Sequence, residues 1–149
     1  MCIEALQDLN CRIIIYAGDK FDAASLLSLP SHCEIVRASA QVRLFRDARL
    51  LICHGGLITP AEAAYYGVPL LMTTHDVPEL EKWATVIASA GLGIHLRKHE
   101  TNVENIRRSA QRLMTDVSTL NRVKKIQHSV KREPGAEETV NRIEDYLEA

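Results

Sequence analysis

Apolar positions along the chain follow two periods, and the two alternate. Ile3, Leu6 and Leu9 have helical spacing, so the chain opens on a predicted helix. Arg12 to Ala17 is a β-branched apolar run stopped by Gly18-Asp19, a strand and its turn. Phe21 to Leu27 reads as a short helix ended by Pro30, Glu34 to Val36 as a short strand, and Val42 to Asp47 as a helical turn or two. Leu50 to Cys53 is apolar throughout, as in a buried strand, and His54-Gly55-Gly56 follows as a tight turn. Thr59-Pro60 opens a helix running to about Tyr66, which Gly67-Val68-Pro69 stops before a strand at Leu70 to Thr73. Glu79 to Ala90 is a helix with Leu80, Ala84 and Ile87 inward, and Gly93 to Leu96 an edge strand. Three helices close the chain, at Val103–Thr115, Ser118–Val130 and Gly135–Leu147. Strands alternating with helices across short connections predict an α/β fold, a Rossmann-like parallel sheet with helices on both faces.

Composition narrows the function classes. The 149 residues fit a single domain, 1–149, whose C-terminal helices occupy 103–148. Hydrophobic residues at 46% and charged residues at 25% suit a soluble globular protein, with a cytoplasmic location expected. A net charge of −1 gives no reason to expect nucleic acid, and no apolar run is long enough for a membrane span. Cys2, Cys11, Cys33 and Cys53 show no C-x-x-C spacing; the expectation is reduced core cysteines and no metal site.

The segment Leu50 to Met72 is a strand, a glycine turn, a helix and a strand. Such a turn aims backbone N–H groups and a helix N-terminus into one crevice, an arrangement suited to phosphate. Gly55 and Gly56 allow positive φ and close approach of the backbone to a ligand, or serve the turn alone. His54 ends a strand, where ligands sit in such sheets. By itself it reads as a packed strand-end residue; beside Gly55, Gly56 and Thr59 it reads as a ligand contact. Thr59-Pro60-Ala61-Glu62 also has the form of a capping box, threonine as N-cap, proline at N1 and glutamate at N3. A glutamate folded back on the N-cap is not available to a ligand, so two readings of Thr59 and Glu62 stand open.

His54-Gly55-Gly56, Thr59, Glu62 and Gly67-Val68-Pro69 resemble the donor-sugar motif of glycosyltransferases with the two-Rossmann-domain GT-B fold, as does Ala90-Gly91-Leu92-Gly93 further on. The nearest group resembled is that of the UDP-glucuronosyltransferases and macrolide glycosyltransferases, over roughly Ile3 to Leu147. The resemblance implies that His54 and Thr59 contact the donor diphosphate, Glu62 the ribose hydroxyls, and Gln41 the base pocket. Ala40 stands where that family has proline before the glutamine. The family's sugar-binding Asp-Gln pair falls on Pro78-Glu79 or Glu79-Leu80, so Glu79 alone remains to hold sugar hydroxyls, or to favour a helix N-terminus. Ile58 replaces a small or polar residue and is expected to crowd the phosphates. His75 is the other histidine near the crevice and reads as a base or a solvated loop residue. His95, His99 and His128 receive no role, and Arg107, Arg108, Arg112, Lys124 and Lys125 read as solvated helix faces.

The resemblance implies a UDP-sugar as donor substrate, no cofactor or metal, and half of an inverting glycosyltransferase acting on an acceptor hydroxyl. The acceptor-binding N-terminal half, as another domain or a partner subunit, would supply the general base, so no catalytic residue is assigned here and the chain alone is expected to be inactive. In strand order 3-2-1-4-5-6 the first, central strand is not among the strands read here; Arg12–Ala17 and Leu50–Cys53 would flank its place. Those two strands are expected either to close together or to leave a slot for a strand from elsewhere. The alternative function is a degenerate donor domain, non-catalytic, acting as an interaction or regulatory subunit.

Overall fold

The structure, a computed structural model, describes residues 1–17, 29–36, 41–133 and 135–148, and of Gln41, Val42 and Glu137 the backbone alone. The turn at Gly18-Asp19, the helix at Phe21–Leu27 and Ala40 lie outside the described residues. The element order is α1 (Cys2–Leu6), β1 (Ile13–Tyr16), β2 (Cys33–Val36), α2 (Gln41–Leu44), β3 (Leu51–Cys53), α3 (Ile58–Tyr66), β4 (Leu70–Thr73), α4 (Pro78–Ser89), β5 (Gly93–Leu96), α5 (Val103–Thr115), α6 (Val117–Arg132) and α7 (Gly135–Glu148), with a 3-10 turn at Lys98–Glu100 before α5. The first helix stops at Leu6, short of Leu9, because the chain turns there, with the Leu9 N–H bonded to the Leu6 carbonyl.

Every strand pair is parallel. β3, β4 and β5 form one ladder with β4 central, Leu71 opposite Ile52 on one side and Ile94 on the other. β1 and β2 form a second ladder, Ile13 opposite Cys33 through Tyr16 opposite Val36. Among the described residues no ladder joins β1 to β3, so the two strands have not closed on each other.

β4 is apolar and buried at Leu70, Leu71 and Met72 because both of its faces are covered, as parallel strands require. Leu71 points into a cluster with Ala5, Leu6, Ile13, Leu96, Ile106, Ala110 and Leu113. Leu70 and Met72 point the other way, against Phe45, Ala63, Val68 and Ala84. α1 and α5 therefore cover one face, and α3 and α4 the other. Helix α5 presents Ile106, Ser109, Ala110 and Leu113 inward, the i, i+3, i+4, i+7 stripe of an amphipathic helix. Arg107 is not the solvated residue expected: its guanidinium donates to the carbonyls of Ala5 (3.1 Å) and Glu4 (3.1 Å), tying the end of α1 to α5. The cysteines are free but less buried than expected, Cys2 exposed and the other three half-buried. Among the described residues no helix is long and apolar enough to cross a membrane.

Candidate functional site

The carboxyl ends of β3 and β4 carry the turn that the sequence singles out. Gly55 lies at φ 85°, in the left-handed region that a side chain disfavours. A Cβ there would also stand 3.4 Å from Thr74 Cγ2, 3.6 Å from Ala84 Cβ and 3.7 Å from the Leu80 carbonyl oxygen. The turn is thus seated on the end of β4 and the start of α4. A Cβ on Gly56 would be 2.9 Å from His54 Nε2, so the imidazole lies over the Gly56 backbone with an exposed outer face. Burial raises the Cys53 thiol above its ordinary pKa, partly offset by the backbone N–H of Gly55, which reaches back to the sulfur.

Helix α3 begins at Ile58, two residues earlier than the capping-box reading of Thr59 and Pro60 places it. Leu57 is its N-cap, already at helical φ −63° and ψ −42°, and no side chain caps this end. Thr59 is therefore inside the first turn and is not the N-cap, and the capping-box reading is corrected. The physical cause is the glycine turn, which delivers the chain in helical geometry by Leu57. Pro60 then sits within the first turn, where its missing N–H has no intrahelical partner to lose. Orphan N–H groups and the positive end of the helix dipole make such an end favourable to negative charge. Glu62 lies on the second turn of α3 and is half-buried. Ile58, expected to crowd the phosphates, is 74% exposed.

Other expected residues meet the turn less directly. Glu79 is exposed in the first turn of α4, one residue before Leu80, whose carbonyl lies against Gly55. α4 likewise has no side-chain cap, with Val77 as N-cap and Pro78 first in the helix. Gln41 is the first residue of α2, and its side chain lies outside the described residues. Phe45, which follows α2, stacks on Tyr66 at the end of α3 with ring centroids 5.7 Å apart, so the two elements are held together. His75 and Asp76, in the loop between β4 and α4, have φ of 52° and 62°. Two consecutive non-glycine residues in that region store strain of the kind found at ligand-binding loops. The Val77 N–H closes the loop on the Thr74 carbonyl (3.2 Å), and Lys98 pairs with Asp76 at 3.4 Å.

Sequence reasoning missed Thr74 and His95. Thr74 is fully buried, and its hydroxyl bonds both Glu81 and His95 (2.9 Å to Nε2) directly behind the turn. The available signal was His95 on a strand whose neighbours Ile94 and Leu96 face the opposite core cluster.

A parallel α/β layer with a glycine turn and a helix N-terminus at the strand ends defines a Rossmann-like class of domain. The model of the family described as Erythromycin biosynthesis protein CIII-like, C-terminal domain, matches residues 1–146. The chain belongs to that family, the C-terminal domains of GT-B glycosyltransferases. It is 33% identical over 147 residues to the NDP-glycosyltransferase YjiC of Bacillus subtilis (strain 168), covering 99% of the chain and 37% of that protein. It is 28% identical over 146 residues to the demethyllactenocin mycarosyltransferase of Streptomyces fradiae, covering 98% of the chain and 32% of that relative. Among solved structures, the calicheamicin glycosyltransferase CalG4 superposes with a TM-score of 0.90 at 27% identity, over 98% of the chain and 37% of CalG4. The glycosyltransferase VinC shares the fold at 21% identity, with a TM-score of 0.85 over 98% of the chain and 36% of VinC. The chain thus spans about a third of the length of these proteins, and the expected GT-B half fold is confirmed.

Proposed function

We propose that this chain is the donor-binding half of an inverting glycosyltransferase that moves a sugar from a UDP-sugar to an acceptor hydroxyl. The observation that carries the reading is the uncapped N-terminus of α3, opening directly from the turn where His54 overlies Gly56. In this reading the donor diphosphate meets the backbone N–H groups of Gly55, Gly56 and the first turn of α3, the Thr59 hydroxyl and the His54 ring. Glu62 accepts from the ribose hydroxyls, Gln41 lines the base pocket, and Glu79 holds the sugar. The diphosphate charge that grows as the glycosidic bond breaks is stabilised by donors already in place, which is this half's share of catalysis. No metal is assigned a part. VinC is a glycosyltransferase solved in complex with DTDP, which supports a nucleoside diphosphate as the common ligand class.

The acceptor and the general base belong to a further domain or partner subunit, and no side chain beside His54 is assigned as base. General-base assistance is typically worth about 10²–10⁴-fold. The purified chain is therefore expected to bind donor without transferring sugar, and robust turnover onto an acceptor would overturn that assignment. The decisive experiment is titration with UDP, followed by calorimetry and by amide shifts. At about 100 times the dissociation constant, UDP should stabilise the chain by about 2.7 kcal/mol. Unchanged melting temperature and unchanged shifts at millimolar UDP would sink the donor-binding reading.

A further inference from the structure

We propose that Thr74, His95 and Glu81 form a positioning network that sets the geometry of the Gly55–Gly56 turn and, through it, the affinity for a nucleoside diphosphate; the second part rests on the donor-binding reading. Thr74 immediately follows β4, is 0% exposed, and touches four separate parts of the site at once. Its methyl group, Cγ2, lies 3.4 Å from the place a Gly55 Cβ would take. Its carbonyl accepts the Val77 N–H that closes the strained His75-Asp76 loop. Its hydroxyl reaches Glu81 on α4 and His95 on β5.

The donor and acceptor roles follow from the inventory of the groups. A hydroxyl has one proton and two lone pairs, and an ionised carboxylate only accepts. Thr74 therefore donates to Glu81 Oε1, and His95 donates to Thr74 Oγ1 through a protonated Nε2. The same nitrogen is 3.4 Å from Glu81 Oε1, so its N–H also faces the carboxylate. The His95 and Glu81 side chains are only 8% and 25% exposed, and the hydroxyl between them is satisfied on both sides. A closed polar network inside a protein specifies one arrangement more sharply than apolar packing does. Here that arrangement fixes the surface on which the phosphate turn is seated. Ile94 and Leu96, on either side of His95, pack into the opposite cluster, leaving His95 as the β5 side chain committed to the network.

Two substitutions separate the hydroxyl from the packing. Thr74→Val keeps a methyl against Gly55 and removes the hydroxyl; Thr74→Ser keeps the hydroxyl and removes the methyl. Both are compared with the unmodified chain at a temperature where all are folded, by the Gly55 and Gly56 amide shifts without ligand and by the UDP dissociation constant. Thr74→Val is expected to move both amide signals and weaken UDP by about tenfold, the loss of one hydrogen bond to a charged group. Thr74→Ser is expected to hold the constant within about twofold, below the net worth of an average hydrogen bond. In the unmodified chain the ring nitrogen spectrum of His95 should show a protonated Nε2, and Thr74→Val should alter it. If Thr74→Val does not fold, His95→Leu removes the donor while leaving Thr74 in place and carries the same expectation. A folded variant with unmoved Gly55 and Gly56 signals and unchanged affinity overturns the proposal. If the unmodified chain itself fails to bind UDP, the donor-binding reading and the affinity claim fall together. The ligand-free shifts then decide the rest: movement in Thr74→Val supports positioning of the turn, and no movement overturns it.

Discussion

Asp116 holds the start of α6 with three bonds, accepting from the Thr119 hydroxyl (2.6 Å) and from the N–H groups of Ser118 (3.1 Å) and Thr119 (3.3 Å). The Thr119 hydroxyl is the main cause that holds its carboxyl below the ordinary value of 3.8. The two N–H groups and Arg112 add to this, against an opposing desolvation. A carboxyl depressed in the folded state binds fewer protons there than when unfolded, so its contribution is fully present above the unfolded value. It is lost as pH falls through the lower, folded value. Urea unfolding of the chain and of Asp116→Ala should therefore show a constant difference near neutral pH that shrinks only below pH 3.8. A difference that vanishes already at pH 5 would contradict the assignment. At the same scale, Gly56→Ala puts a methyl 2.9 Å from His54 Nε2 and must displace the ring. Since the imidazole is at the surface, the expected outcome is loss of UDP affinity with little change in melting temperature. His54, Gly55 and Gly56 were legible because turn chemistry is local. Thr74 and His95 were not, because 20 intervening residues separate them and only β4–β5 pairing brings them together.

At the level of elements, periodicity was most informative where one face is buried. Val103–Thr115 was read to the residue, since its apolar stripe is regular and Asn102 caps it, accepting from the Asn105 N–H at 2.8 Å. Asn102→Ala should cost about 1 kcal/mol in chemical unfolding, the usual loss of an N-cap. A cost near zero would mean that the preceding 3-10 turn holds the helix end without it. The strands Leu70–Thr73 and Gly93–Leu96 were equally plain. The start of α3 was not. Thr59, Pro60 and Glu62 have the spacing of a capping box, but the backbone path set by Gly55 reaches helical angles before Thr59 is in place. Local sequence preference was overridden by the turn preceding it, at the position proposed to meet phosphate. α1 shows the converse: its five residues are too few for an isolated helix, and Arg107 holds it from across the chain.

At the level of the whole molecule, the two ladders share one core without sharing a hydrogen-bonded boundary among the described residues. Ile13 belongs to the same cluster as Leu71 and Leu96, with Ile15 and Cys33 packed beside it. β1 and β2 are thus held to the three-stranded sheet by side chains. A two-stranded sheet is marginal alone, whereas β4 is paired on both sides and Leu70, Leu71 and Met72 are at most 3% exposed. Local opening should follow that contrast, because opening free energies span from near zero up to the global value. Native-state hydrogen exchange should therefore find the β4 amides slowest and those of β1 and β2 opening first. Equal protection in both ladders would show that they open as one unit and that side-chain packing alone couples them fully. The same measurement tests the slot expected between β1 and β3. Unpaired strand edges are open to a further strand, and a buried unpaired backbone group costs about 1–3 kcal/mol. If a partner domain or subunit, as proposed above, lays a strand there, its presence should slow exchange in β1 and β3 together and leave β5 unaffected. Slowing confined to β5 would place the partner on the opposite edge and rule the slot out.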